Sequence, residues 1–242
     1  MNSIIFKELN AFFSSLIGYI AIGIFLLTLS LFLWVFSSFN VLDYGYATLD
    51  GLFGLAPLVL MILIPAITMR SFAEETSLGT IETLVTRPLK VIDIVLGKFL
   101  ACLILVLVSI LPTLIYYVSV CQLGSPVGNI DHGAFWGSFI ALLLLGGAFV
   151  SIGIFSSSLV KDQIVAFVIG LVLCSFMYLG FEYLSELFVE NGQDSVIQEI
   201  GMSSHFIALG RGLVDTRDLV YFLSVIIVFI LFSKLTLERR FW

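Results

Sequence analysis

The side chains that most often do chemistry are sparse in this chain of 242 residues, and none is arranged for catalysis. His132 and His205 stand alone in polar connections, where a single imidazole is more often structural than a ligand or base. Cys102, Cys121 and Cys174 have no metal-type spacing. Cys102 and Cys174 lie in apolar runs and read as small packing residues, while Cys121 sits near the end of a run with no evident partner. No G-x-x-x-x-G-K-[ST] occurs, and Gly97-Lys98 lacks the preceding glycine spacing, so the chain is not expected to bind ATP by itself. The cores of the hydrophobic runs hold no Asp, Glu, Lys, Arg or His. Ion-coupled transporters and proton pumps need such groups at membrane depth, and so do intramembrane hydrolases. No enzyme activity, metal or cofactor is expected.

What the charged residues can do is make a contact. They concentrate in Met69–Lys98, MRSFAEETSLGTIETLVTRPLKVIDIVLGK, a mixed-charge island between two long apolar runs. Such a segment cannot lie in hydrocarbon and must sit at a membrane face. Arg70 to Thr76 continues with helix formers, and Gly79 breaks that run. Ser77 and Thr80 can each cap a new start, and Glu82 suits a first turn. Ile81, Leu84 and Val85 then share one face at helical spacing, and Pro88 ends the segment. The expected product is an amphipathic helix of about two turns. It either lies in a partner's groove or floats at the lipid interface.

The elements that must position this island are membrane spans. The chain is 60% hydrophobic and only 12% charged, with a mean hydropathy of +1.15, against about a quarter charged in soluble domains. The expected fold class is an all-α integral membrane protein, read as one transmembrane domain over 1–242. Residues 1–15 form an interfacial helix, with Lys7 and Glu8 opposite its apolar side. The first apolar run is long enough to span and has no small-residue cleavage site, so it reads as a retained anchor. Six spans follow, at 16–36, 51–69, 99–120, 134–159, 163–181 and 219–234. Pro57 and Pro65 should kink the second, and Pro112 lies mid-run in the third. Gly133 with Gly137, Gly147 with Ser151, and Gly170 with Cys174 have the spacing that lets membrane helices approach closely.

The longest polar connection is 182–218. Leu184, Leu187 and Phe188 fall on one side of its first part. Asn191-Gly192 marks a turn, and Ser195-x-x-Gln198 reads as a capping box opening a short helix with Val196, Ile197 and Ile200. Arg211, Asp215, Arg217 and Asp218 are expected to pair and shape the entry to the last span.

With six spans, both termini share a face. That face carries nine of the eleven Lys and Arg residues and seven of the seventeen acidic ones. The basic face is cytoplasmic by the positive-inside bias, which puts 70–98 and both termini in the cytoplasm and 182–218 outside. The net charge of −6 brings no basic patch, so nucleic acid is not an expected partner.

The island also resembles the first cytoplasmic loop of ABC-2 type permeases, through Arg70-Ser-Phe-Ala-Glu74-Glu-x-x-Leu-Gly79-Thr-Ile-Glu82-x-Leu84-x-Thr86-x-Pro88 and Val95-Leu-Gly97-Lys98. The resemblance implies a coupling helix that docks on a separate ATP-binding subunit, with Ile81, Leu84 and Val85 as its apolar key. Arg70, Glu74, Glu75 and Glu82 would surround it, between Gly79 and Pro88. His205-Phe206, Arg211-Gly212-Leu-Val-Asp215-x-Arg217-Asp218-Leu-Val-Tyr221-Phe222 and Leu237-Glu238-Arg239-Arg240 are similar to the gliding-motility-associated permease subunit (GldF type). Copper-site-assembly permeases share much of that pattern. The resemblance implies a second permease copy or an auxiliary membrane subunit, in a bacterial inner membrane. It also implies an elbow helix at the N-terminus and re-entrant elements in 182–218, which read equally as a solvated rim. Two functions stay open: an export permease, and an ATP-driven mechanical or assembly module that moves no substrate.

Overall fold

The computed structural model describes residues 2–36, 40–41, 46–80, 90–187, 197–212 and 215–240. All regular structure among them is helical. In chain order the helices are α1 (Asn2–Phe13), α2 (Leu16–Trp34), α3 (Asp50–Thr68), α4 (Arg70–Ser77), α5 (Val91–Ile110), α6 (Leu114–Leu123), α7 (His132–Leu159), α8 (Gln163–Ser175), α9 (Phe181–Leu187), α10 (Met202–Gly210) and α11 (Thr216–Arg240).

Among the described residues, five stretches are long and apolar enough to cross a bilayer: Asp50–Ser77, Val91–Leu123, His132–Leu159, Gln163–Glu186 and Thr216–Arg239. The sixth arises only if α1 and α2, bent by 70° at their junction, count together. The expected interfacial helix and first span are thus two arms of one elbow.

Three helices outrun their hydropathy signals. α3 continues with a break only at Met69 into α4, a run of 28 residues. Pro65 does not end it, since the Met69 N–H still reaches the Pro65 carbonyl at 2.9 Å. The third span begins at Val91, not Phe99, and reaches Leu123, so Asp93 and Lys98 belong to it. Its 33 residues make about 50 Å of helix, longer than the roughly 30 Å of hydrocarbon. At Pro112 the helix tightens into a three-ten turn, Leu111–Thr113, and resumes. The fifth span runs on through a π-helical turn, Phe176–Gly180, into α9, so the polar connection begins after Leu187.

α7 is the axis of the bundle and the most buried of the five spans. Its apolar and small residues bury on most sides, with Trp136 and Ile140 exposed along one stripe near its start. Seven buried hydroxyls are satisfied locally: Ser109, Ser151, Ser156, Ser158, Thr68, Thr113 and Ser233 each donate to a carbonyl one turn back. This answers the need to pair every polar group in a medium without water.

Candidate functional site

The island divides at Thr80. Residues 81–89 lie outside the described residues, and with them Ile81, Glu82, Leu84, Val85 and Pro88. Arg70 to Thr80 is described, and it is held more firmly than a floating segment. At the break, Ser157 of α7 accepts from the Phe72 N–H at 3.0 Å and the Ala73 N–H at 3.1 Å, and donates to the Met69 carbonyl at 2.9 Å. Met69 C=O and Ala73 N–H would be ladder partners in an unbroken helix. The hydroxyl stands between them, which accounts for the break. α4 ends at Ser77, and two residues on Gly79 has a φ of +70°, the left-handed conformation glycine adopts freely. The new helix start expected after Ser77 and Thr80 falls on 81–89, outside the described residues. The Ser77 and Thr80 hydroxyls both donate backward, to the Glu74 carbonyl at 2.9 Å and the Glu75 carbonyl at 3.3 Å.

Glu75 is drawn inward. Its Oε1 lies 3.0 Å from Lys7 Nζ and its Oε2 lies 2.9 Å from Lys98 Nζ. The second contact is an ion pair without hydrogen-bond alignment. The directed bonds of Lys98 go to Glu8 at 2.9 Å and to the Ser71 carbonyl at 2.5 Å. Lys7 and Glu8 therefore do not face away from the bundle, as the amphipathic pattern of 1–15 implied. They tie α1 to α4 and α5. Glu74 is half-buried, and the Arg70 Nε is buried with no hydrogen-bond partner among the described residues.

At the other end of the bundle, His205 sits within α10, not in a loop. Its Nδ1 lies 2.6 Å from Asp218 Oδ1 and its Nε2 lies 2.8 Å from the Glu199 carbonyl, while its ring stacks on Tyr221 at 3.9 Å. Both ring nitrogens thus face oxygens, one a carboxylate and the other a backbone carbonyl. Tyr221 donates to the Ile200 carbonyl at 2.5 Å. The expected pairing among Arg211, Asp215, Arg217 and Asp218 is replaced by this one. Asp215 caps α11 by accepting from the Arg217 N–H at 3.0 Å, and among the described residues no ion pair joins Arg211 or Arg217 to either aspartate. His132 opens α7, with Nδ1 2.6 Å from the Tyr117 hydroxyl. Of the expected 195–200 helix only 197–200 is described, helical at 197–198 and a turn at 199–200.

α10 and α7 meet through glycine. A Cβ on Gly137 would lie 2.5 Å from the Leu209 carbonyl oxygen, and one on Gly212 2.9 Å from the Gly133 carbonyl carbon. The Gly133/Gly137 pair thus seats another helix, as its spacing predicts.

Sequence reasoning missed Ser157, Lys7, Glu8 and Tyr221 as members of these clusters. The run Ser156-Ser157-Ser158 inside an apolar span was the available signal. Among the described residues no group of three His, Cys, Asp or Glu could hold a metal. The arrangement is suited to transmitting force: a polar segment is clamped to buried helices at one end, and a short helix is clamped at the other.

No curated protein matches the chain. The family model described as ABC-2 family transporter protein matches residues 36–240, which takes in every helix from α3 onward. The chain belongs to the ABC-2 family of transporter proteins.

Proposed function

We propose that this chain is the membrane-spanning permease subunit of an ABC-2 transporter whose work is supplied by a separate ATP-binding subunit pressing on residues 70–98. The observation that carries the reading is the triple hydrogen bond of Ser157, which ties α4 to the axial helix. A push on 81–89 enters the bundle through α4. Ile81, Leu84 and Val85 form the apolar key, ringed by Arg70, Glu74, Glu75 and Glu82, between Gly79 and Pro88. The distribution of Lys and Arg supports a cytoplasmic position for this surface and for both termini.

A second copy of the chain, or a similar auxiliary subunit, completes the pathway. The C-terminal likeness to GldF-type permeases supports a place in the inner membrane of a gliding bacterium. There the 182–218 region, with His205, Arg211, Asp215, Arg217 and Asp218, works on the envelope side.

The test is Leu84→Asp in protein purified in mild detergent with its ATP-binding subunit. A carboxylate in an apolar seat is strongly unfavourable. Membrane insertion should be unchanged, and ATP hydrolysis should fall to the rate of the isolated ATP-binding subunit. Full stimulation in the variant overturns the assignment of the contact.

A further inference from the structure

Lys98 is one of the largest fully buried side chains in the protein, at 2% exposure, and it carries a charge. An ammonium is rarely buried unless paired. Its ammonium meets three oxygens from two other helices, two along directed hydrogen bonds and the third, on Glu75, as an ion pair. Glu8 comes from α1, the Ser71 carbonyl and the Glu75 carboxylate come from α4, and Lys98 itself belongs to α5. The face of the Phe72 ring lies 5.0 Å from Nζ, which adds a cation–π contact. Lys7 closes the other oxygen of Glu75. Two lysines and two glutamates make a cluster of zero net charge, the condition under which a buried group of ions is tolerable.

Beside it the Ile4 side chain of α1 presses on the α5 backbone. A Cβ on Gly97 would lie 3.0 Å from Ile4 Cγ2, so α1 rests flush on α5 one residue before Lys98. α4 is therefore gripped from two sides, by Ser157 of α7 and by the ammonium of α5, and α1 is gripped by the same ammonium.

We infer that Lys98 is a positioning residue for coupling: its ammonium locks α1, α4 and the head of α5 into one body, so that a push on α4 moves the N-terminal elbow with it. The inference rests on the proposed drive through residues 70–98. An ammonium suits the post because it is a compact charge with three donors, whereas a guanidinium is a planar fork. Truncating Lys98 alone leaves the partly buried Glu8 without its ammonium, which is destabilising for reasons unrelated to coupling. The informative variant is Lys98→Met with Glu8→Gln, in which the remaining Lys7–Glu75 pair keeps the cluster neutral.

Three quantities are read: thermal stability in detergent, ATP hydrolysis by the complex, and the distance between spin labels at Phe6→Cys on α1 and Ser77→Cys on α4. The double variant should regain most of the stability lost by Lys98→Met. It should still lose about tenfold in stimulated hydrolysis, within the ordinary range of coupling between sites, and its label distance should broaden. Stimulation restored together with stability overturns the inference, because the charges would then only hold the fold. If the double variant does not fold, Glu8→Gln alone decides: unchanged stimulation with an unchanged label distance refutes it. If the unaltered protein neither retains nor stimulates an ATP-binding subunit, the proposed function fails on its own. The label distance still decides the clasp in that case, and an unaltered distance in the double variant refutes it.

Discussion

Ser157→Ala probes the junction on which the proposed coupling depends, and its effect can be worked from the geometry. The hydroxyl makes three bonds in a fully buried position. Hydrogen bonds between membrane helices average about 0.6 kcal/mol each, so three amount to about 2 kcal/mol. An independent route gives the same size. Losing a helix-capping oxygen costs about 1 kcal/mol, and leaving a buried N–H unpaired costs about 1–3 kcal/mol. The Ala73 N–H can recover a partner by closing on the Met69 carbonyl, which removes part of that second cost.

That closure straightens the junction. Glu75 lies six residues beyond Met69, about 9 Å of helix, so a change of about 20° in the bend moves it by about 3 Å. This is as far as the 2.9 Å separating it from Lys98. The variant should thus lose about 2 kcal/mol of stability in a reversible detergent unfolding assay, for the two reasons above. It should also alter amide exchange at Phe72 and Ala73 and lower stimulated ATP hydrolysis. Unchanged exchange at those two amides, with unchanged stability, would refute the reasoning, because it would mean that the hydroxyl is not their partner.

The glycines give a graded comparison. Gly137→Ala puts a Cβ 2.5 Å from a backbone oxygen that cannot rotate away, so it should destabilise by about 1–3 kcal/mol. Gly23→Ala meets nothing within 4 Å and should stay within about 0.5 kcal/mol of the unaltered protein; denaturation midpoints in one detergent separate them. Asp218→Asn removes the charge facing His205 and should raise amide exchange through α10 while leaving α4 unaffected; equal exchange at both ends would sink the pairing. Lys7→Met should move stability by less than about 1 kcal/mol, because Lys7 is 61% exposed. A loss as large as that of Lys98→Met would show that exposure does not govern this cluster.

Composition and apolar run length were enough for the helical membrane fold, because a bilayer accepts few backbone arrangements. Run length failed where polar residues are covered by protein. Lys98 reads as a loop residue beside apolar Phe99, yet it lies inside a helix because Glu8 and Glu75, distant in sequence, neutralise it. Lys7 and Glu8 read as the wet side of an amphipathic helix for the same reason. Periodicity reports where a side chain points, not what meets it. His205 and Asp218 were both legible as candidates, but their pairing was not. Asp215, an equally plausible acid, turns out to cap a helix, a choice set by three-dimensional placement.

The small residues of α7 link the two ends of the bundle. Gly137 admits the end of α10, Gly147 the Ile226 side chain of α11, and Gly153 the Thr68 side chain of α3, each at a different level and on a different side. Ser138 donates to the Gly210 carbonyl at 3.4 Å near one end, and Ser157 holds α4 near the other. The 19 residues from Ser138 to Ser157 cover about 28 Å of helix, close to the thickness of the hydrocarbon. A helix packed on most sides along its length does not bend independently of its neighbours. A displacement of α4 that preserves the Ser157 bonds must therefore carry α7 with it. Because Gly137 leaves no slack against Leu209, the far end of α7 must in turn move α10 and the His205–Asp218 pair that anchors it to α11.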